Sequence, residues 1–214
     1  KVGIGTNAPA ELLEVEGTGA AIQIDSNGDS ALRFATGGTV KHSIFSSSGV
    51  LNFFDNTNSA TRMSIDATGA VTMPLQPSFR ATPSSEQTNI SVDAWNTIAF
   101  GTEAVDTNAD FASNTFTAPV TGTYALSGAI YLQNLDSAAT SYQVQIHTSN
   151  DSYSILVIIP AQILSADTGF YAFAGAVFAD MDASDTAIIR IYQEGGTAQT
   201  DINITSVFTG HLLG

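Results

Sequence analysis

Three carboxylates crowd the run Asp180-Met181-Asp182-Ala183-Ser184-Asp185, and hard oxygen donors gathered in one loop are the ligand type that Ca²⁺ takes. Their spacing differs from that of a helix-loop-helix calcium site, and an acidic turn opening the next strand accounts for the same residues. A second acidic pair, Asp106 and Asp110, is weaker still. The three histidines, His42, His147 and His211, fall in separate predicted strands with no nucleophile or zincin pattern beside them, so each reads as a strand residue. Gly3-Ile4-Gly5-Thr6 precedes no helix carrying Lys-Ser or Lys-Thr, so its glycines belong to a turn and not to a phosphate cradle. Cleavage of a polysaccharide needs a groove with two acids at a set separation and aromatic sugar platforms, whereas the aromatics here fall mainly at core positions. Trp95, the only tryptophan, reads as a core or interface anchor. The expectation is a chain without enzymatic activity, and with no cofactor beyond a candidate Ca²⁺ at Asp180, Asp182 and Asp185.

The elements behind these residues are strands. Only 12% of the 214 residues are charged while Thr, Ser, Ala, Asn and Gly abound, a profile of short strands and tight turns that predicts an all-β fold of one or two domains. A formal net charge of -14 would repel a phosphate backbone, which excludes nucleic acid as a partner. With no cysteine there is no disulfide, thiolate metal site or thiol nucleophile. The apolar run from Ile155 to Ile159, closed by Pro160, is too short to span a bilayer and predicts a buried strand, so no membrane insertion is expected. Lys1 in place of Met, with no signal-peptide pattern after it, predicts an internal piece or a processed product of a longer chain.

Residues 1–75 read as a meander of short strands. Apolar residues alternate in brief runs: Ile22 and Ile24, Leu32 and Phe34, Val40 and Ile44, Leu51 and Phe53, Met63 and Ile65, Val71 and Met73. Turn chemistry separates them, as at Thr36-Gly37-Gly38 and Ala67-Thr68-Gly69. Each strand offers two or three inward side chains, so a narrow ribbon leaves its apolar face wet unless further copies of the chain cover it. The opening Val2-Gly3-Ile4-Gly5-Thr6 with Pro9, Leu13, Val15 and Gly17 resembles the motif of bacteriophage tail fibres and related bacterial surface proteins. Arg62-Met63-Ser64-Ile65-Asp66, leading through Gly69 to Val71-Thr72-Met73, is similar to the unit that accompanies it. The resemblance implies a trimeric β-shaft.

Pro74, Pro77 and Pro83 mark a neck, and residues 76–214 read as a second domain with longer strands, the last of them Ile202 to Leu213, of the count and spacing of a double-sheet jelly roll. Phe100, Asp106, Phe111, Phe116, Gly122, Tyr124 and Leu126 resemble the signature of the complement C1q-type head in the tumour-necrosis-factor superfamily, as do Trp95-Asn96-Thr97 and the closing Thr205 to Leu213. Two places depart from it: the step from Phe111 to Phe116 is shorter, and Leu126 and Gly128 stand where the family favours aromatics. The resemblance implies a compact homotrimer. Phe100, Phe111, Phe116, Tyr124 and Phe208 are the expected core, with Gly122 allowing the turn into a long strand.

Together these readings predict an extracellular homotrimeric fibre, a virion tail fibre or a cell-surface appendage, whose head attaches to a host-surface glycan or protein. The expected receptor loops at the far end of the head are Asn134 to Thr140, Thr148 to Ser152, Ala166 to Gly169 and Gly195 to Asp201, in particular Asn134, Asp136, Ser137, Ser149, Asn150, Asp151, Asp167, Thr168, Gly196 and Thr197. The alternatives are a structural filament or spore-coat protein capped by the head, and a polysaccharide-degrading spike.

Overall fold

The structure, a computed structural model, describes residues 2–4, 13–15, 18 and 22–213. The chain divides into two compact units, Lys1–Pro74 and Leu75–Gly214.

In the first unit β1 (Val2–Ile4) and β2 (Leu13–Val15) pair in parallel. Gly5, Thr6, Pro9 and Gly17 of the opening motif lie outside the described residues. A five-stranded antiparallel meander follows in chain order: β3 (Ser30–Thr36), β4 (Thr39–Ser47), β5 (Val50–Asp55), β6 (Ala60–Ile65) and β7 (Val71–Thr72). The β3–β4 turn places Gly37 at φ 58° and Gly38 at φ 78°, the paired left-handed backbone of a two-residue hairpin. Asp55 closes the β5–β6 turn by accepting from Thr57 N at 2.9 Å and from Asn58 N at 3.1 Å, and it pairs with Arg62 at 2.6 Å. The Asn58 amide and the Arg62 guanidinium hold its carboxyl well below the usual range.

Direct cross-strand partners share a face. Leu32 lies opposite Ile44, Ile44 opposite Phe53, and Phe53 opposite Met63, while Leu51, Ile65 and Val71 form a second such row. One face of this sheet is therefore apolar across all five strands. Even so, no hydrophobic side chain among the described residues of this unit is buried. Ile22 and Ile24, expected to begin a strand, are instead exposed on irregular backbone.

The second unit holds β8 (Ser78–Thr82), β9 (Trp95–Thr97), β10 (Thr102–Thr107), β11 (Phe111–Ala112), β12 (Thr115–Thr117), β13 (Gly122–Leu135), β14 (Ser141–Thr148) and β15 (Ser152–Ile158). A single turn of helix, α1 (Pro160–Ile163), then precedes β16 (Thr168–Met181), β17 (Thr186–Glu194), β18 (Asp201–Ile202) and β19 (Val207–Leu212). One sheet runs β10-β8-β19-β13-β16 with β18 on β13; the other runs β11-β12-β17-β14-β15 with β9 on β17. The eight principal strands, β8 and β12 to β17 with β19, divide between the sheets so that first pairs with last, last with third and third with sixth, while second, seventh, fourth and fifth form the other sheet. That connectivity is a jelly roll.

Aromatic rings fill the space between the sheets. Phe79 stacks on Phe111 at 5.0 Å and on Phe116 at 4.7 Å, and meets Phe208 edge-on at 4.8 Å. Phe100, Phe111, Phe116, Tyr124 and Phe208 are all buried. The Tyr124 hydroxyl donates to Val120 O at 2.8 Å, which leaves no unmet polar group at that end of the ring. Gly122 opens β13 in strand conformation and not in a left-handed turn.

Three expectations are corrected. The Ile155–Ile159 run is not a buried strand: β15 is a sheet edge, and Val157 is 60% exposed because its side chain points away from the core. The closing run from Ile202 is not one strand, because Asn203 Oδ1 accepts from Thr205 N at 2.9 Å and Thr205 Oγ1 at 2.7 Å, a side-chain-closed turn that separates β18 from β19. Of the core and interface readings of Trp95, the core one is excluded. The residue lies on the outer side of its sheet, 39% exposed, with its ring 5.3 Å from Tyr192 and the Arg190 guanidinium 4.3 Å from its centroid.

Candidate functional site

Strand registers give the sandwich two ends. β13 runs from Gly122 to Leu135, and β16 returns from Thr168, beside Leu135, to Met181, beside Gly122. Ser78 of β8 pairs with His211, which pairs with Ala125, so the chain enters the sandwich at the Gly122 end. The C-terminal strand finishes there too: Leu212 N donates to Pro77 O at 3.0 Å and Leu213 N to Thr123 O at 2.9 Å.

This geometry separates the four loops expected to form one tip. Ser149, Asn150 and Asp151 lie at the near end, where the chain enters, because β14 runs toward it. There Asp185 accepts from Ser149 Oγ at 2.7 Å, from Asp182 N at 2.7 Å and from the Asn150 amide, contacts that hold its carboxyl below the usual range, the Ser149 bond foremost. Asp182 accepts from Thr121 Oγ1 at 3.3 Å and Asp180 from Thr123 Oγ1 at 2.7 Å. Each of the three carboxylates thus has its own partners. Among the described residues no group of three or more His, Asp or Glu is placed to hold a metal ion, so these three do not converge as Ca²⁺ would need. Asp106 accepts from Asp110 N at 2.9 Å, an Asx-type closure of its turn. Burial, and to a lesser degree the Asp106 charge, push the Asp110 carboxyl up, and its Oδ2 has no hydrogen-bond partner.

The other three loops meet at the far end. Asp136 is not a surface contact: it is 4% exposed, accepts from Ala138 N at 2.8 Å and from Thr197 N, and its own N–H donates to the Tyr142 hydroxyl at 3.0 Å. It ties the β13–β14 loop to the β17–β18 loop. Gly196, at φ 76°, has no room for a side chain beside that carboxylate. Asp167 accepts from Ser137 N at 2.8 Å, Ser137 Oγ at 2.7 Å and Gln199 Nε2 at 3.0 Å, tying in the third loop. These bonds, the Gln199 amide first, lower the Asp167 pKa to about 2.

A cavity of about 380 Å³ opens among these loops, lined by Asn89, Asn134, Asp167, Thr168, Gly169 and Gln199. Asn134 and Thr168 belong to strand ends rather than loops. Asp136, Ser137, Gly196 and Thr197 are not among its lining residues; Asp136, Ser137 and Thr197 instead hold the loops together. Asn89 was not singled out by the sequence. It sits 45 residues before Asn134 in a polar stretch without periodic signal, and reaches the far end because its N–H donates to Asp201 Oδ1 at 2.7 Å.

A third surface is apolar. The outward side chains of β16 are Phe170, Ala172, Ala174, Ala176 and Phe178, with Phe178 73% exposed, and Ala125, Ala129 and Val207 continue the face across β13 and β19. Val157, Ile159 and Ile163 extend exposed apolar surface along the neighbouring edge.

The class that this layout defines is the two-sheet jelly-roll sandwich. Among solved structures, the chain is similar to the globular domain of zebrafish complement 1qA protein, with 16% identity, 65% of this chain and 98% of that chain covered, and a TM-score of 0.47. It is also similar to murine APRIL at pH 8.0, with 8% identity, 64% and 99% of the two chains covered, and a TM-score of 0.45. No family model matches the chain, and no curated protein matches its sequence. Among the described residues no helix is long and apolar enough to cross a membrane.

Proposed function

We propose that this protein is a homotrimeric extracellular fibre component, of the tail-fibre kind, whose jelly-roll unit attaches to a bacterial cell surface. One observation carries the assembly: the five-stranded sheet has an apolar face running through Leu32, Ile44, Phe53 and Met63, yet buries no hydrophobic side chain of its own. Burying a side chain of this size contributes about 1.5–3 kcal/mol, so covering that face is a strong drive to associate. Among the described residues no helix lies near it in sequence, and copies of the chain are the cover with matching chemistry. The outward face of β16 supports the same reading in the second unit, since Phe170 and Phe178 flank small alanines that let another sheet approach closely. The Val2-Gly3-Ile4-Gly5-Thr6 opening supports the tail-fibre assignment. Loops gathered opposite the point where the chain enters support attachment as the role of the far end.

Light scattering coupled to size-exclusion chromatography of the full chain tests the assembly. A mass of three copies is expected; a stable, folded single copy at micromolar concentration overturns it. Adherence of the labelled chain to a panel of bacterial cells tests attachment, and its absence favours a fibre cap without a receptor.

A further inference from the structure

We propose that the far-end cavity binds a neutral, hydroxyl-rich saccharide, held by the side chains of Asn89, Asn134, Gln199 and Asp167. The inference rests on the attachment reading and gives it a ligand class. At about 380 Å³ the cavity falls within the range of small-ligand sites, roughly 300–1,000 Å³.

Its lining decides the chemistry. The Asn89 amide offers two donors and an acceptor, the Asn134 amide, one of whose hydrogens goes to Asp201, keeps one donor and its acceptor, the Gln199 amide, which donates to Asp167 and to Asn134 O, keeps its acceptor, and Thr168 adds a hydroxyl oxygen. A sugar hydroxyl both donates and accepts, so a ring of amides is its complement. No lysine or arginine lines the cavity, and Asp167 stays ionised down to about pH 2, so an anionic ligand meets a like charge and no cation. The same carboxylate already accepts three hydrogen bonds, from Ser137 and Gln199, and no second acid lines the cavity, which does not suit a metal ion. A protein partner would need apolar anchors at the centre of the contact, and this lining has none.

Backbone strain points to the same two residues. Asn89 and Asn134 both sit in the left-handed region, at φ 52° and φ 54°. Asp201, itself nearly buried, holds them there: Oδ1 takes the Asn89 N–H at 2.7 Å and Oδ2 takes the Asn134 side-chain amide at 2.8 Å. Glycine would meet these dihedral angles with less strain, so the backbone alone gives no reason for a side chain at 89. That side chain has no hydrogen bond to any described residue, and it lines the cavity. Gly169 also lines it, and a Cβ added there would meet nothing within 4 Å.

Two variants follow that alter the cavity without disturbing the fold. Asn89→Gly removes the free amide while easing the backbone, and Gly169→Leu projects a side chain into open space. The full chain and both variants are tested on an array of neutral and acidic glycans, with polygalacturonate as the anionic control, and on the bacterial panel. Saturable binding of the parent chain to a neutral glycan, weakened about tenfold or more in both variants at an unchanged or raised melting temperature, is the expected result. Binding confined to acidic glycans overturns the proposal, as does a neutral glycan bound equally by all three chains. Cells held equally by all three chains, or adherence lost after protease but not periodate treatment of the cells, overturn the saccharide site and leave attachment standing. A parent chain that binds neither glycans nor cells overturns both.

Discussion

Gly128 and Gly175 face one another across β13 and β16, and Ile155 from the opposing sheet packs into the space that both leave. A Cβ at Gly175 would stand 2.6 Å from Ile155 Cβ and 3.4 Å from its Cα, so the strand itself would have to move. At Gly128 the close atom, also at 2.6 Å, is only the terminal methyl of Ile189, which can turn aside. Gly175→Ala is therefore expected to cost about 1–3 kcal/mol and Gly128→Ala less. Thermal unfolding of the two variants measures the order; a reversed order would contradict the packing described.

Phe116 touches both Phe79 and Tyr124, with ring centroids at 4.7 Å and 5.3 Å, and has no exposed surface. Removing it leaves a void walled by rings that cannot collapse far. Phe116→Ala should cost about 3–5 kcal/mol and lower the melting point of the jelly-roll unit. An unchanged melting curve would refute its place in the core.

Phe178 lies on the apolar face assigned to contact between copies. Phe178→Asp places a charge on that face in every copy, and burying it unpaired is unfavourable. Because the five-stranded sheet also associates, the readout is the thermal unfolding of the jelly-roll unit in the full chain, which should move to lower temperature with strand content by circular dichroism retained. An unchanged transition in this variant would exclude the β16 face from the assembly.

Asp167 titrates in a direction that can be worked out. Its folded pKa of about 2 lies below the ordinary 3.8, so the stability it contributes is present above about pH 4 and is lost as pH falls through 2. The Ser137 amide, which donates to it at 2.8 Å, is the reporter. Hydrogen exchange at Ser137 should show protection that is full at pH 5 and falls toward pH 2, and Asp167→Asn should flatten that profile. A pH-independent exchange profile in the parent chain would contradict the loop tie.

Much of the fold is legible from residues alone, because strand periodicity is local. The alternation of Leu32, Phe34 and Ile44, or of Tyr142, Val144 and Ile146, follows from which neighbours face the same side. Less legible is anything set by distant partners. Whether Val157 is covered depends on β15 being an edge, and edges are fixed by the order of all strands. The break after Ile202 depends on one Asn203 side chain closing its own turn. The grouping of loops was hardest to read: Asp136 meets Thr197 and Ser137 meets Asp167 across long stretches of chain, and nothing local to Asn150 tells that its loop lies at the opposite end. Asn89 escaped notice for the same reason.

Because β8 starts at the end where the chain enters and is bonded along its length to β19 and β10, a pull on Pro77 against tethered far-end loops acts parallel to the strands. The ladder bonds then share the load at once in shear, where a sideways pull would open them one after another. Connected this way, the jelly-roll unit resists a pull directed along its own strands.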